Sequence, residues 1–94
     1  MQDTALFPAT SYTLSISGTT ANTAIAPCRG VRLVSTTDCF VRFDTSAPTA
    51  VTTDMFLPAN SPEYFELGKL TGYTPYVGAI TSSASGSLYI TVMN

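Results

Sequence analysis

"SLYITVM", residues 87–93, sets Leu88, Ile90 and Val92 on one side and Tyr89, Thr91 and Met93 on the other. Side chains of an extended backbone point alternately to opposite faces, so this run reads as a strand with one face in a core. The same alternation recurs upstream. "SYTLSIS" (11–17) places Tyr12, Leu14 and Ile16 on one face and hydroxyls on the other. "GVRLVS" (30–35) sets Val31, Leu33 and Ser35 against Arg32 and Val34. In "FVRF" (40–43), Phe40 shares a side with Arg42, and Val41 with Phe43. Val, Ile, Thr, Tyr and Phe dominate these runs, as suits a pleated, half-buried surface.

Between the runs lie "SGTTAN" (17–22), "PCRG" (27–30), "STTD" (35–38), "DTSAPT" (44–49), "PANSP" (58–62), "LTGYTP" (70–75) and "SSASGS" (82–87). Gly supplies positive φ, Pro presets a turn, and Asn, Asp and Ser bond their own backbone. Breaks recurring about every ten residues predict an antiparallel sandwich or barrel. Strands are expected near 11–17, 22–26, 30–35, 38–43, 49–52, 62–67, 74–80 and 87–93, with a helical turn, if any, near 44–50. The expected fold is all-β: an antiparallel two-sheet β-sandwich of jelly-roll type with about eight short strands. Its core would take Leu14, Ile16, Ile25, Leu33, Phe40 or Val41, Phe65, Val77, Leu88, Ile90 and Val92. The 94 residues make one domain, residues 1–10 being a possible N-terminal arm.

Composition narrows the function classes. Charged residues are 11% of the chain, against roughly 25% in ordinary soluble domains. Ten serines and sixteen threonines carry the polar surface instead. Such a surface packs readily against other proteins, which favours a subunit. The four cations, Arg29, Arg32, Arg42 and Lys69, are dispersed in a chain of net charge −2. Nucleic-acid binding needs clustered cations, so it is not expected. No apolar run reaches the roughly 20 residues of a membrane helix. "MQDTALFPAT" lacks the basic end and apolar block of a secretory leader. Cys28 and Cys39 are expected to be reduced, small apolar core residues rather than a disulfide.

Chemistry is sparse. The chain has no histidine, so it lacks the commonest general base and the commonest neutral metal ligand. Glu63 and Glu66 lie three apart on one expected strand and face opposite sides. Asp44 and Asp54 flank a loop and could hold calcium weakly, although Asp as a turn residue is the plainer reading. Tyr73 and Tyr76 are the aromatic candidates for stacking on a sugar, and ordinary core or surface tyrosines explain them as well. No catalytic residue, cofactor or metal site is expected, and the chain does not read as an enzyme.

Contact-making residues are easier to nominate. In "MFLPANSPEYFEL" (55–67), Met55, Phe56 and Leu57 are consecutive, so an extended backbone cannot turn all three inward. Pro58 and Pro62 forbid a regular central strand there and stiffen the corner. Arg32 and Arg42 would project from one side if their strands form a hairpin around "STTD". They would then be interface anchors, or else solvated charges on an outer face. The interface candidates are Phe7, Arg32, Arg42, Met55, Phe56, Leu57 and Tyr64.

The pattern "VRLVSTTDCFVRFD…PTA…MFLPANSPEYFEL…SGSLYITVM" resembles small virion structural proteins of tailed bacteriophages. The residues that carry the resemblance are Arg32, Ser35 to Asp38, Phe40 to Phe43, Leu57 to Ala59, Glu63, Phe65, Gly86 and Leu88 to Thr91. It covers roughly residues 30–94, and residues 1–29 lie outside it. The resemblance implies a β-sandwich that decorates or cements a phage capsid, or a tail, head-fibre or adaptor part of the virion. It also implies a homo-oligomer, a trimer by preference, whose partners are the major capsid protein or other virion proteins. The place of action would be the virion, assembled in the host cytoplasm. A small carbohydrate- or receptor-binding module is the alternative from a different class.

Overall fold

A computed structural model describes residues 8–68 and 74–93. Eight strands run β1 (Pro8–Ile16), β2 (Ala21–Ala24), β3 (Gly30–Ser35), β4 (Cys39–Asp44), β5 (Met55–Leu57), β6 (Glu63–Glu66), β7 (Tyr76–Ile80) and β8 (Gly86–Met93). They form two four-stranded sheets, ordered β1-β8-β3-β6 and β2-β7-β4-β5. Every pairing is antiparallel.

The pairings are nested. The outermost strands β1 and β8 pair, then β2 with β7, β3 with β6 and β4 with β5. The chain is thus one long ribbon doubled back between β4 and β5. Two further pairings, β3 with β8 and β4 with β7, roll that ribbon into two sheets. This is the jelly-roll arrangement.

Alternation puts the core where the sequence placed it. Leu14, Ile16, Val31, Leu33, Leu88, Ile90 and Val92 face inward from the first sheet, and Cys39, Val41, Leu57, Val77 and Ala79 from the second. Of Phe40 and Val41, Val41 is the core residue; Phe40 is only half-buried, on the outer side. Phe43 and Phe65 meet between the sheets, ring centroids 5.6 Å apart. Burying one aliphatic side chain contributes about 1.5–3 kcal/mol, so this stripe supplies most of the driving force.

The corners differ from expectation in three places. "STTD" does not close a hairpin: β3 and β4 lie in different sheets, and the segment carries the chain between them. The buried Ser35 hydroxyl donates to the Thr37 carbonyl (2.6 Å) and accepts from the Thr37 amide (3.2 Å). Thr36 exchanges bonds with Ser87: its amide donates to the Ser87 carbonyl (3.0 Å), and its hydroxyl accepts from the Ser87 amide (2.9 Å). Gly86 admits this approach, since a Cβ there would stand 2.7 Å from Thr36 Oγ1 and from Thr37 Cγ2.

The second difference is the strand expected at 49–52, which does not form. Its donors go to side chains: the Ala50 amide to Thr20 Oγ1 (2.9 Å) and the Val51 amide to Asp54 Oδ2 (2.8 Å). Met55–Leu57 takes the ladder position beside β4 instead. Third, no helical turn forms over 44–50. Asp44 caps its own bend, accepting the Thr45 amide at 2.7 Å. The segment 45–54 then runs back over the outer face of the second sheet, with Pro48 packed on Gly78.

Candidate interaction surface

On the outer face of the second sheet, Phe40 stands between Phe56 and Ile80 in the strand register. The Phe40 and Phe56 rings are 5.4 Å apart and tilted by 52°. Phe56 is 51% exposed, an unusual state for a ring of that size. Met55, beside it on the edge strand, is 41% exposed, and Val51 is exposed as well. Leu57 is fully buried in the core, so it belongs to the domain itself and not to an outward surface. Alternation turns Phe56 outward and Met55 and Leu57 to the inner face, where Leu57, opposite Cys39, is covered while Met55, opposite Val41 at the start of the strand, stays exposed.

Arg42 lies two residues along β4 from Phe40 and points to the same side. Its Nε and Nη2 both donate to Asp54 Oδ1, at 3.1 and 2.8 Å. The other Asp54 oxygen accepts the Val51 amide, and that bond, with the Arg42 contact, holds the carboxyl below the usual carboxylate range. Arg42 thus latches the 45–54 segment down beside the Phe40–Phe56 patch.

The two arginines do not share a side. Arg32 sits on β3, in the other sheet, and faces out of the opposite surface. There its guanidinium carbon lies 6.0 Å from the centroid of the Tyr64 ring, to which it is opposite in register. Tyr64 is 64% exposed and Tyr89 44%, on a surface that also carries Ser11, Thr13, Ser15, Val34, Glu66, Ser87 and Thr91. The pairing of both arginines on one surface required a β3–β4 hairpin, which the sheet order excludes.

Phe7 and Tyr73 lie outside the described residues. Tyr76 is half-buried on β7. Phe40, Ile80, Val51 and Tyr89 were not among the nominated contact residues. For Phe40 the signal was present, since alternation had already put it on Arg42's side. For Ile80 only the register with β4 reveals it. Cys28 and Cys39 are free, buried thiols, and burial pushes both above the ordinary cysteine range. Among the described residues no three His, Cys, Asp or Glu side chains group as metal ligands would.

No protein family, curated protein or solved structure matches this chain.

Proposed function

We propose that this chain is a structural subunit of a phage particle, a decoration or cement protein that stabilises the head through protein–protein contact. The observation that supports the reading is the Phe40–Phe56–Ile80 row on the outer face of the second sheet, in which Phe56 is 51% exposed and Phe40 and Ile80 are half-buried. Large exposed aromatics ringed by polar groups are the usual anchors of a protein interface. The surface is held in shape before binding. Pro58 follows β5 directly, and the Arg42–Asp54 contact fixes the turn that precedes it. Little ordering entropy is then lost on docking. Contact made only on the assembled shell stabilises that shell by mass action.

A tail, head-fibre or adaptor role would use the same surface against a different virion protein. A glycan-binding module is favoured by a separate observation, the exposed Tyr64 and Tyr89 on the opposite sheet. The readings part in one experiment. Purified protein is offered to capsid shells of its own particle, to tail assemblies and to an immobilised glycan panel. Retention on shells, with no glycan captured, is the expected result. Capture by glycans with no retention on any virion part would overturn the proposal.

A further inference from the structure

We infer that β1 is a docking edge for a second copy of this chain, paired antiparallel about a two-fold axis at Thr13. Each four-stranded sheet has two edges, so the sandwich has four: β1 and β6, β2 and β5. An unpaired edge offers a row of N–H and C=O groups to any passing strand, and sheet proteins ordinarily blunt it. Three edges here are blunted. β5 is three residues long and runs into Pro58. β6 is four residues long, follows Pro62, and carries Glu63 and Glu66. β2 is four residues long and lies against the 45–54 segment, with Asn22 Nδ2 donating to the Pro48 carbonyl at 3.4 Å.

Among the described residues, β1 has none of these protections along most of its length. It spans nine residues, with proline only at its first position. The register irregularity is confined to Pro8–Ser11; from Ser11 to Ile16, six successive residues pair regularly with β8. That run, "SYTLSI", has no charge and no proline. In an antiparallel ladder every second residue turns its N–H and C=O away from its partner strand. Among the described residues, no backbone bond outside the ladders reaches Ser11–Ile16. Ser11, Thr13 and Ser15 are exposed.

A second copy fits this edge because the run is nearly symmetric about its middle. An axis through Thr13 sets Thr13 opposite the partner's Thr13, and Ser11 opposite the partner's Ser15. On the inner side Tyr12 meets the partner's Leu14. All outer pairs are then hydroxyl pairs, which stabilise facing strands, and no like charges oppose. The same chemistry already operates on this surface, where Ser11 Oγ and Thr91 Oγ1 lie 3.1 Å apart across the β1–β8 pair. An axis through Leu14 would bring Ser17 into the pairing, and its carbonyl already accepts the Thr81 amide at 2.8 Å. The outcome is one continuous sheet across a two-fold axis. Such a contact is isologous and builds dimers, not the trimer that the resemblance implies.

The test needs no virion protein, so it stands apart from the proposed function. Sedimentation equilibrium is run on the wild-type chain, on Thr13→Lys, on Thr13→Glu and on their equimolar mixture, with circular dichroism of each. The wild type is expected to be dimeric. Each variant should keep its β spectrum and dissociate at least about tenfold more readily, because like charges face each other across the axis. Mixing the two should restore the dimer. A monomeric or trimeric wild type, variants that dimerise like the wild type, or a mixture that stays monomeric would each overturn the inference. Should a variant fail to fold, hydrogen exchange of the wild type decides instead. The amides of Ser11, Thr13 and Ser15, which turn away from β8, gain protection as concentration rises, and unchanged protection overturns the inference.

Discussion

Phe56 and Leu57 are adjacent in sequence, similar in apolarity and opposite in role. Phe56→Ser removes a ring that the domain leaves half-exposed and packs only against Phe40, so the melting temperature of the isolated chain should fall little, within about 1 kcal/mol of stability. Leu57→Ala empties a fully buried site and should cost about 2–5 kcal/mol. Thermal denaturation of the two variants side by side checks this, and equal losses would show Phe56 to be a core residue. The cysteines make a second prediction. Both are buried and free, and their thiols titrate above the ordinary value. A thiol-alkylating reagent at neutral pH should therefore label neither until the chain is unfolded. Prompt labelling of either one, or a disulfide found by mass spectrometry without reductant, would contradict it. Alternation alone predicted that not all of residues 55–57 could be buried. It did not say which of them stay outside, because that depends on β5 being an edge strand paired to β4.

At the scale of elements, the long strands were readable and the corners were not. Leu88, Ile90 and Val92 carry their pattern within seven residues, so no distant information is needed. "STTD" has hairpin chemistry and corner chemistry alike. What decides is Thr36 reaching Ser87, 51 positions away, and the Ala59 and Asn60 amides reaching Asp38 Oδ1 (2.8 Å) and the Ser35 carbonyl (2.7 Å). Asn60 adopts a φ of 60°, a conformation that Asn tolerates better than most residues, and this lets "PAN" turn towards that corner. The 45–54 segment was misread for a related reason: its donors are taken by Thr20 and Asp54 side chains, not by a ladder. Asp54 also gives this segment a pH dependence. Its carboxyl titrates below the ordinary 3.8 because the folded chain favours the charged form. The contribution is complete above 3.8 and is lost as pH falls through the lower folded value. The Val51 amide resonance should accordingly shift with a midpoint below 3.8, and Asp54→Asn should abolish the transition. A midpoint at or above the ordinary value would contradict the latch.

For the whole molecule, the jelly roll leaves two features outside its core: the Phe40–Phe56–Ile80 row on one sheet and, among the described residues, the unpaired β1 edge of the other. They lie on different sheets, so one copy can grip another through β1 while its aromatic row faces a third protein. That row could be read only in part from the sequence, since Phe40 and Phe56 are visible there but their juxtaposition, and the place of Ile80 beside them, come from the β4 pairings. The most direct test of the account is the binding of wild type and Phe56→Ser to purified shells of the particle's own capsid protein, with the melting temperature of each measured alongside. Phe56→Ser is expected to melt close to wild type and to bind shells more weakly by about 1–3 kcal/mol. Undiminished binding by a folded Phe56→Ser chain, or no binding by the wild type, would contradict it.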